Sequence, residues 1–443
     1  MLSLIGIFIG IVLLMVLAFR GYSIVWIAPI CAAIVAFTGD LNVLDAYLDS
    51  YMSGLVNFVK AWFPAFLLSA IFGNLMDVSG GAKSIAAWLT RMLGTKSAIA
   101  SIVLGCALLT YGGVSLFVVV FAIYPLALAV FKEANISRRL IPGTIACGAF
   151  TFTMTALPGS PQIQNLIPTA YFGTDAMAAP MMGIIASAIL FFGGVAYLEM
   201  RRKKYAANGE FFTEPAVIEQ ATSPQQEKLP SPFVALLPLI AVIVVLNFIP
   251  PLIGLKNDDP KNIVIALLSG IILVGLLSLK QRDKFIPAIG KGANGAVGAI
   301  INTAAAVGFG SVVRMVPGFD LLTTMILNIP GGPLVSLSIA VNILAGATGS
   351  ASGGMGIALE ALGEKYLAIA KQMHISPEVL HRIASLSSGG LDTMPHNGAV
   401  LTLLSNTQMT HKDSYLEIAV TSFVLPIIAT IVVIILYNLF GIY

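Results

Sequence analysis

Apolar runs of membrane-spanning length alternate with short polar stretches along this chain. They fall near 2–19, 23–38, 55–77, 140–170, 177–199, 232–250, 262–279, 293–313, 380–405 and 415–440. Most approach or exceed the roughly 20 residues that a transmembrane helix needs. Two more runs are interrupted, 97–131 at TYGGVS (110–115) and 334–371 at GSASGG (349–354). Each reads either as two spans or as a re-entrant hairpin that enters and leaves by one side. Residues 79–95, with Lys83 and Arg91, read as an amphipathic surface helix.

The pattern repeats. Slid by 237 positions, 55–77 falls on 293–313, 97–131 on 334–368 and 177–199 on 415–436. Asn57 then meets Asn294, Asp77 meets Arg314, and Pro158 meets Pro395. Five spans plus one hairpin is an odd number of crossings, so the second half must run with opposite orientation. Inverted repeats whose broken helices meet near the midplane are the build of secondary transporters. The expected fold is an all-α polytopic membrane protein of two inverted-topology repeats, 1–200 and 232–443. Each repeat holds about five spans and one re-entrant hairpin, and a polar cytoplasmic connector at 201–231 joins them.

Composition agrees. The chain is 57% hydrophobic and 10% charged, with a mean hydropathy of +0.92, more apolar surface than a soluble domain can hide. Its net charge of +3 is carried in short basic loops, at Lys83, Arg91 and Lys96, at Lys132, Arg138 and Arg139, and at 201–204 (RRKK). That is an orientation signal of a protein in the cell (inner or plasma) membrane and not a nucleic-acid face. Carried forward, the same parity leaves Lys371, His374 and Arg382 outside, against the rule. Cys31, Cys106 and Cys147 lie in apolar runs and suggest neither a disulfide framework nor a zinc site. His374 and His381 lack metal-ligand spacing and read as loop residues. No metal or cofactor is expected. The N-terminus lacks a basic region and a cleavage site, so its first run reads as a retained span.

Four breaks are expected to converge: Tyr111, Gly112, Gly113 and Ser115; Gly159, Ser160 and Gln162 beside Pro158 and Pro161; Ser350, Ser352 and Gly353; and Thr393, His396 and Asn397 beside Pro395. Proline and glycine break helices, and broken backbone survives in a bilayer only where protein or a water-lined cavity satisfies it. Glycines let a ligand approach backbone N–H groups, and half-helix N-termini attract a carboxylate without a buried arginine. The same residues also suit tight helix packing. Asp392 and His396, four apart, would share a face if helical, and either could carry a coupling proton or instead be a cap and a carbonyl-bonded histidine. Glu360 is the other carboxylate candidate, unless it only pairs with Lys365 near the outer boundary. Asp77 and Arg314 read as an ion pair or as interfacial anchors.

At these breaks the sequence resembles the gluconate permease (GntP) family of organic-acid:proton symporters, within the ion transporter superfamily, over nearly the whole chain. The resemblance lies in FGNLMDVSGGA at 72–82, GSAS at 349–352 and SSGGLDTMPHN at 387–397. It implies a scaffold part, a mobile part carrying the hairpins, a homodimer and elevator-like movement. Gluconate carriers have an acidic residue after the hairpin tyrosine, where this chain has Gly112. They have a histidine in the first proline-rich break, where this chain has Gly159 and Ser160. An unmatched buried hydroxyl costs roughly 1–3 kcal/mol, so these departures favour a smaller, less hydroxylated acid. LDTMPHNGA at 391–399 looks more like the 3-hydroxybutyrate permease branch. The expected function is cation-coupled symport of a short hydroxy- or keto-monocarboxylate, with H⁺ as the coupling ion and Na⁺ as the alternative. A sugar-acid symporter is the second reading. A distant third is an intramembrane hydrolase using Ser352 and His396, although GSASG at 349–353 lacks the G-x-S-x-G order. The expected partners are a small organic-acid anion and the lipid bilayer, and no nucleic acid.

Overall fold

Where the apolar runs are continuous the chain is helical, and where glycine and proline interrupt them it breaks. A computed structural model describes residues 2–20, 22–94, 97–215, 229–256, 261–327, 329–395 and 397–443, among which there is no strand. The first half folds as α1 (Leu2–Phe19), α2 (Ile24–Thr38), α3 (Val43–Val78), α4 (Gly81–Leu93), α5 (Ala98–Tyr111), α6 (Leu116–Glu133), α7 (Ile141–Ala149), α8 (Ile163–Phe172) and α9 (Pro180–Ala207). The second half folds as α10 (Pro232–Phe248), α11 (Lys261–Leu277), α12 (Leu279–Met315), α13 (Gly318–Leu327), α14 (Gly332–Thr348), α15 (Ala351–Gln372), α16 (Pro377–Ser388), α17 (Gly398–Thr407) and α18 (His411–Phe440). Both α3 and α18 contain a π-turn, and α12 opens on a 3-10 turn. Element starts recur at the sequence offset: α2 and α11 begin at 24 and 261, α4 and α13 at 81 and 318, each 237 apart.

Among the described residues, α3, α6, α9, α12 and α18 are long and apolar enough to cross a membrane, and six shorter apolar helices accompany them. α3 and α12 cross antiparallel at the centre, and small residues let them approach. A Cβ on Gly292 would lie 2.9 Å from the Ala70 carbonyl, and one on Gly308 would lie 2.8 Å from that of Tyr51. α2 packs on α12 and α11 on α3, with α1 and α10 outside them. The remaining helices gather around the two interrupted runs, α5–α6 and α14–α15. There the sequence halves interleave, with α8 on α15 and α16, α7 on α18, and α9 on α18.

α4 is amphipathic as expected, burying Ala82, Ile85, Ala86 and Leu89 while Lys83 and Arg91 face outward. α13, its counterpart after α12, was not anticipated. The connector begins later than expected, because α9 continues through 201–207. There Arg201 meets the buried Glu417 carboxylate at 2.7 Å and Tyr205 donates to it at 2.8 Å, tying α9 to α18. Beyond α9, Glu210 pairs with Arg139 at 2.9 Å and Glu214 with Lys132. Residues 216–228 lie outside the described residues. Pro230 accepts a hydrogen bond from Ser84 on α4 at 2.6 Å. Cys31, Cys106 and Cys147 are all buried and free.

Candidate functional site

The four breaks come together in two pairs. In the first, Tyr111 at the end of α5 donates to the Pro158 carbonyl at 2.8 Å. Gln162 donates to the carbonyls of Thr110 (2.6 Å) and Val114 (3.4 Å) at the α5–α6 break, and the Thr110 carbonyl also accepts from Gly113 N at 3.0 Å. Gly113 has a φ of +95°, a turn that a side chain would strain. Ser160 donates to the Thr153 carbonyl at 2.6 Å, so its hydroxyl stabilises the break itself. α10 closes over the pair: a Cβ on Gly112 would fall 2.6 Å from Leu239, and Asn247 donates to the Gly159 carbonyl at 3.1 Å.

In the second pair, Asn397 is both cap and strut. Its Oδ1 accepts from the N–H groups of Ala399 (2.6 Å) and Val400 (2.9 Å), and its Nδ2 donates to the Gly349 carbonyl at 2.8 Å. Gly349 ends α14 in the left-handed region, φ +58°. Ser350 caps α15 by accepting from Gly353 N at 3.1 Å. The Ser352 hydroxyl lies 3.4 Å from that of Ser350 and 3.3 Å from that of Thr303 on α12. Thr393 donates to the Ser422 carbonyl at 2.9 Å. The pairs touch through Thr155, whose carbonyl accepts from Ser385 at 2.8 Å and whose methyl would lie 3.0 Å from a Cβ on Gly389.

Two differences separate the pairs. Ser350 and Asn397 occupy the N-termini of α15 and α17, whereas neither Ser115 nor Gln162 caps α6 or α8 with its side chain. The first pair therefore keeps two helix N-termini without side-chain caps, side by side. The second pair holds Asp392, which is buried and whose Oδ1 has no hydrogen-bond partner.

Several sequence expectations need correction. Asp392 sits in a 3-10 turn, Leu391–Thr393, after which Met394 is extended, so no helical face joins it to position 396. His396 lies outside the described residues. Glu360 pairs with Arg314 at 2.9 Å and accepts from Tyr171 at 3.2 Å, while Lys365 turns to Asp320 at 3.1 Å. Nine residues of helix place Glu360 about 14 Å along α15 from Ala351, away from the breaks. His381 is not a loop residue but, like Arg382 beside it, fully buried in α16. His381 Nδ1 lies 2.7 Å from the Thr174 hydroxyl, and Arg382 donates to the carbonyl of Ala178 (2.6 and 3.1 Å) and to Asn165 Oδ1 (2.8 Å). Asn165 in turn donates to the Ser160 carbonyl at 2.9 Å, so a buried arginine does brace the first break. Its apolar flanks, with Ile383 and Ala384 after it, were the available signal.

No family model matches the chain. It is 44% identical to the Bacillus subtilis protein named uncharacterized transporter YxjC, over 99% of both chains. It is 26% identical to an uncharacterized permease of Haemophilus influenzae, over 75% of this chain and 72% of that one. Among solved structures, the YdaH transporter of Alcanivorax borkumensis, described as having an unusual topology, matches with a TM-score of 0.61. That match covers 90% of this chain and 89% of the other at 15% identity, a likeness of fold alone. The relatives are transporters and permeases, and with the spanning helices they mark this as a multi-pass membrane protein.

Proposed function

The chain belongs to the transporter family of Bacillus subtilis YxjC, and on that basis we propose that it is a secondary active symporter for a short hydroxy- or keto-monocarboxylate such as 3-hydroxybutyrate. The observation that carries the anion site is the pair of N-termini of α6 and α8, side by side without side-chain caps. Their N–H groups and partial positive charge suit a carboxylate, and Ser115, half-buried at the N-cap of α6, spends no hydroxyl bond on the cap. The preference for a small acid rests on what fills the positions beside it. Leu239 occupies the space over Gly112, and Asn247 and Met177 crowd Gly159, which leaves no room there for the polar partners a polyol needs.

The cation is a proton held at Asp392. A buried carboxylate with an unpartnered oxygen is stable when protonated, or when a cation lies against it. Na⁺ is the alternative, because broken-helix carbonyls beside Ser, Thr and Asn side chains can also hold it. The two sites communicate through Thr155 and α16. The halves 1–200 and 232–443 act as inverted-topology repeats, with α5–α6 and α14–α15 as re-entrant hairpins. The part built around these hairpins moves against α3 and α12 in an elevator-like step of alternating access, in a homodimer in the plasma membrane.

The test is uptake of labelled 3-hydroxybutyrate into proteoliposomes under an imposed proton or sodium gradient, with gluconate as competitor. Proton-driven uptake indifferent to excess gluconate is expected, and Asp392→Asn should lose the response to the proton gradient. If gluconate blocks uptake and is itself carried, the small-acid assignment fails. If Asp392→Asn keeps full proton-driven uptake, the coupling assignment fails.

A further inference from the structure

We propose that the Arg314–Glu360 ion pair is a one-sided latch. It holds the α14–α15 hairpin on α12 in the conformation described here, and it opens when the hairpins slide by about one helical turn along α3 and α12. The inference rests on the alternating-access reading above.

The latch joins the two groups of helices. Arg314 at the end of α12 meets Glu360 Oε1 at 2.9 Å, and Tyr171 on α8 engages Oε2 at 3.2 Å, so both carboxylate oxygens are held. Lys365, further along α15, adds a link to Asp320 on α13. The first half has no such pair at the equivalent positions. Subtracting 237, the positions equivalent to Arg314 and Glu360 are Asp77 and Ile123, which cannot pair.

The hairpins also differ in register. A Cβ on Gly310 would meet Ile357 at 3.2 Å, whereas one on Gly73 (310 − 237) would meet Ser115 and Val118 at 3.3 Å. The position equivalent to Ile357 is Val120 (357 − 237). α6 therefore sits two to five residues short of the matching register, about 6 Å for four residues of helix. With opposed repeat orientation, a slide that brings Val120 to Gly73 draws Ile357 off Gly310. It also draws Glu360 off Arg314, because 6 Å exceeds the reach of a hydrogen bond. Packing differs in the same sense: Ala358 is fully buried, and its equivalent Phe121 is 52% exposed.

The experiment is disulfide trapping in membranes, without substrate, of Gly310→Cys with Ile357→Cys. It is run in otherwise wild-type protein and with Glu360→Gln, Arg314→Gln, Tyr171→Phe or the exchanged pair Arg314→Glu with Glu360→Arg. The ion pair is part-exposed, so its effect is modest: either neutral variant should slow trapping about threefold. Tyr171→Phe should slow it less, and the exchanged pair should restore it. Oxidation should stop uptake, and reduction should return it. Unchanged trapping in both neutral variants overturns the latch, and undiminished uptake by fully cross-linked protein overturns the slide. Failure to carry any organic acid would sink the proposed substrate and leave the trapping result standing.

Discussion

Asn397 offers the sharpest test of how the second pair of breaks is held, because one side chain does two separable things. Its Oδ1 caps α17 and its Nδ2 holds the carbonyl that ends α14. Alanine removes both. Loss of an N-cap costs about 1 kcal/mol, and the part-buried Gly349 carbonyl left without a donor costs at most about 1–3 kcal/mol, so Asn397→Ala should destabilise by about 1–4 kcal/mol. Aspartate keeps the cap and loses only the strut, setting an oxygen against the Gly349 carbonyl. It should cost about 1–3 kcal/mol while leaving α17 intact. Thermal unfolding in detergent should therefore rank wild type above Asn397→Asp and Asn397→Ala. Proteoliposome uptake should fall in both variants, because the strut fixes one break on the other. If Asn397→Asp unfolds and transports as wild type does, the strut carries nothing and the pairing of these breaks is incidental.

Other outcomes follow from the same geometry. Gly112→Val should overpack against Leu239 and lower the unfolding midpoint by the equivalent of about 1–3 kcal/mol, and Leu239→Ala should relieve part of it in the double variant. Gln162→Ala should take the side-chain donor from the Val114 carbonyl and leave that of Thr110 on Gly113 N alone, and reduce uptake more than it reduces the amount of inserted protein, read by immunoblot against initial rate. Arg382→Met removes three buried hydrogen bonds from a charged donor, at roughly 1.5–3 kcal/mol each. It should abolish folded protein in detergent by size-exclusion chromatography. Wild-type elution of that variant would show that Ala178 and Asn165 are satisfied without it.

Spans and breaks were legible because they depend on local facts: long apolar runs must be helices in lipid, and proline beside glycine must interrupt them. The breaks at 110–115, 155–162, 349–354 and 387–398 all appear as interruptions between helices. What did not show was tertiary. Charge parity left Arg382 outside because it assigns cations near a run's end to water, whereas three hydrogen bonds to two acceptors, Ala178 O and Asn165 Oδ1, bring it inside. Glu360 and Lys365 are five apart, which puts them on different faces of α15, and each finds its partner on another element. Sequence also could not divide the candidate side chains by task. Ser160, Gln162, Thr393 and Asn397 are polar at the breaks largely because the broken backbone needs them, which leaves Ser115 and Asp392 with unspent hydrogen-bonding capacity.

The three thiols have a practical consequence. Cys31, Cys106 and Cys147 are each fully enclosed, so a water-soluble maleimide should pass over the folded chain and report only a cysteine placed by design. Stripping them out would be the worse choice. Cys147 Sγ lies 2.4 Å from where a Cβ on Gly194 would stand, and Cys106 Cβ lies 2.6 Å from the same point on Gly148. The Cys147 sulfur and the Cys106 Cβ fill notches that glycines leave, and the native chain is already a silent background for site-directed labelling.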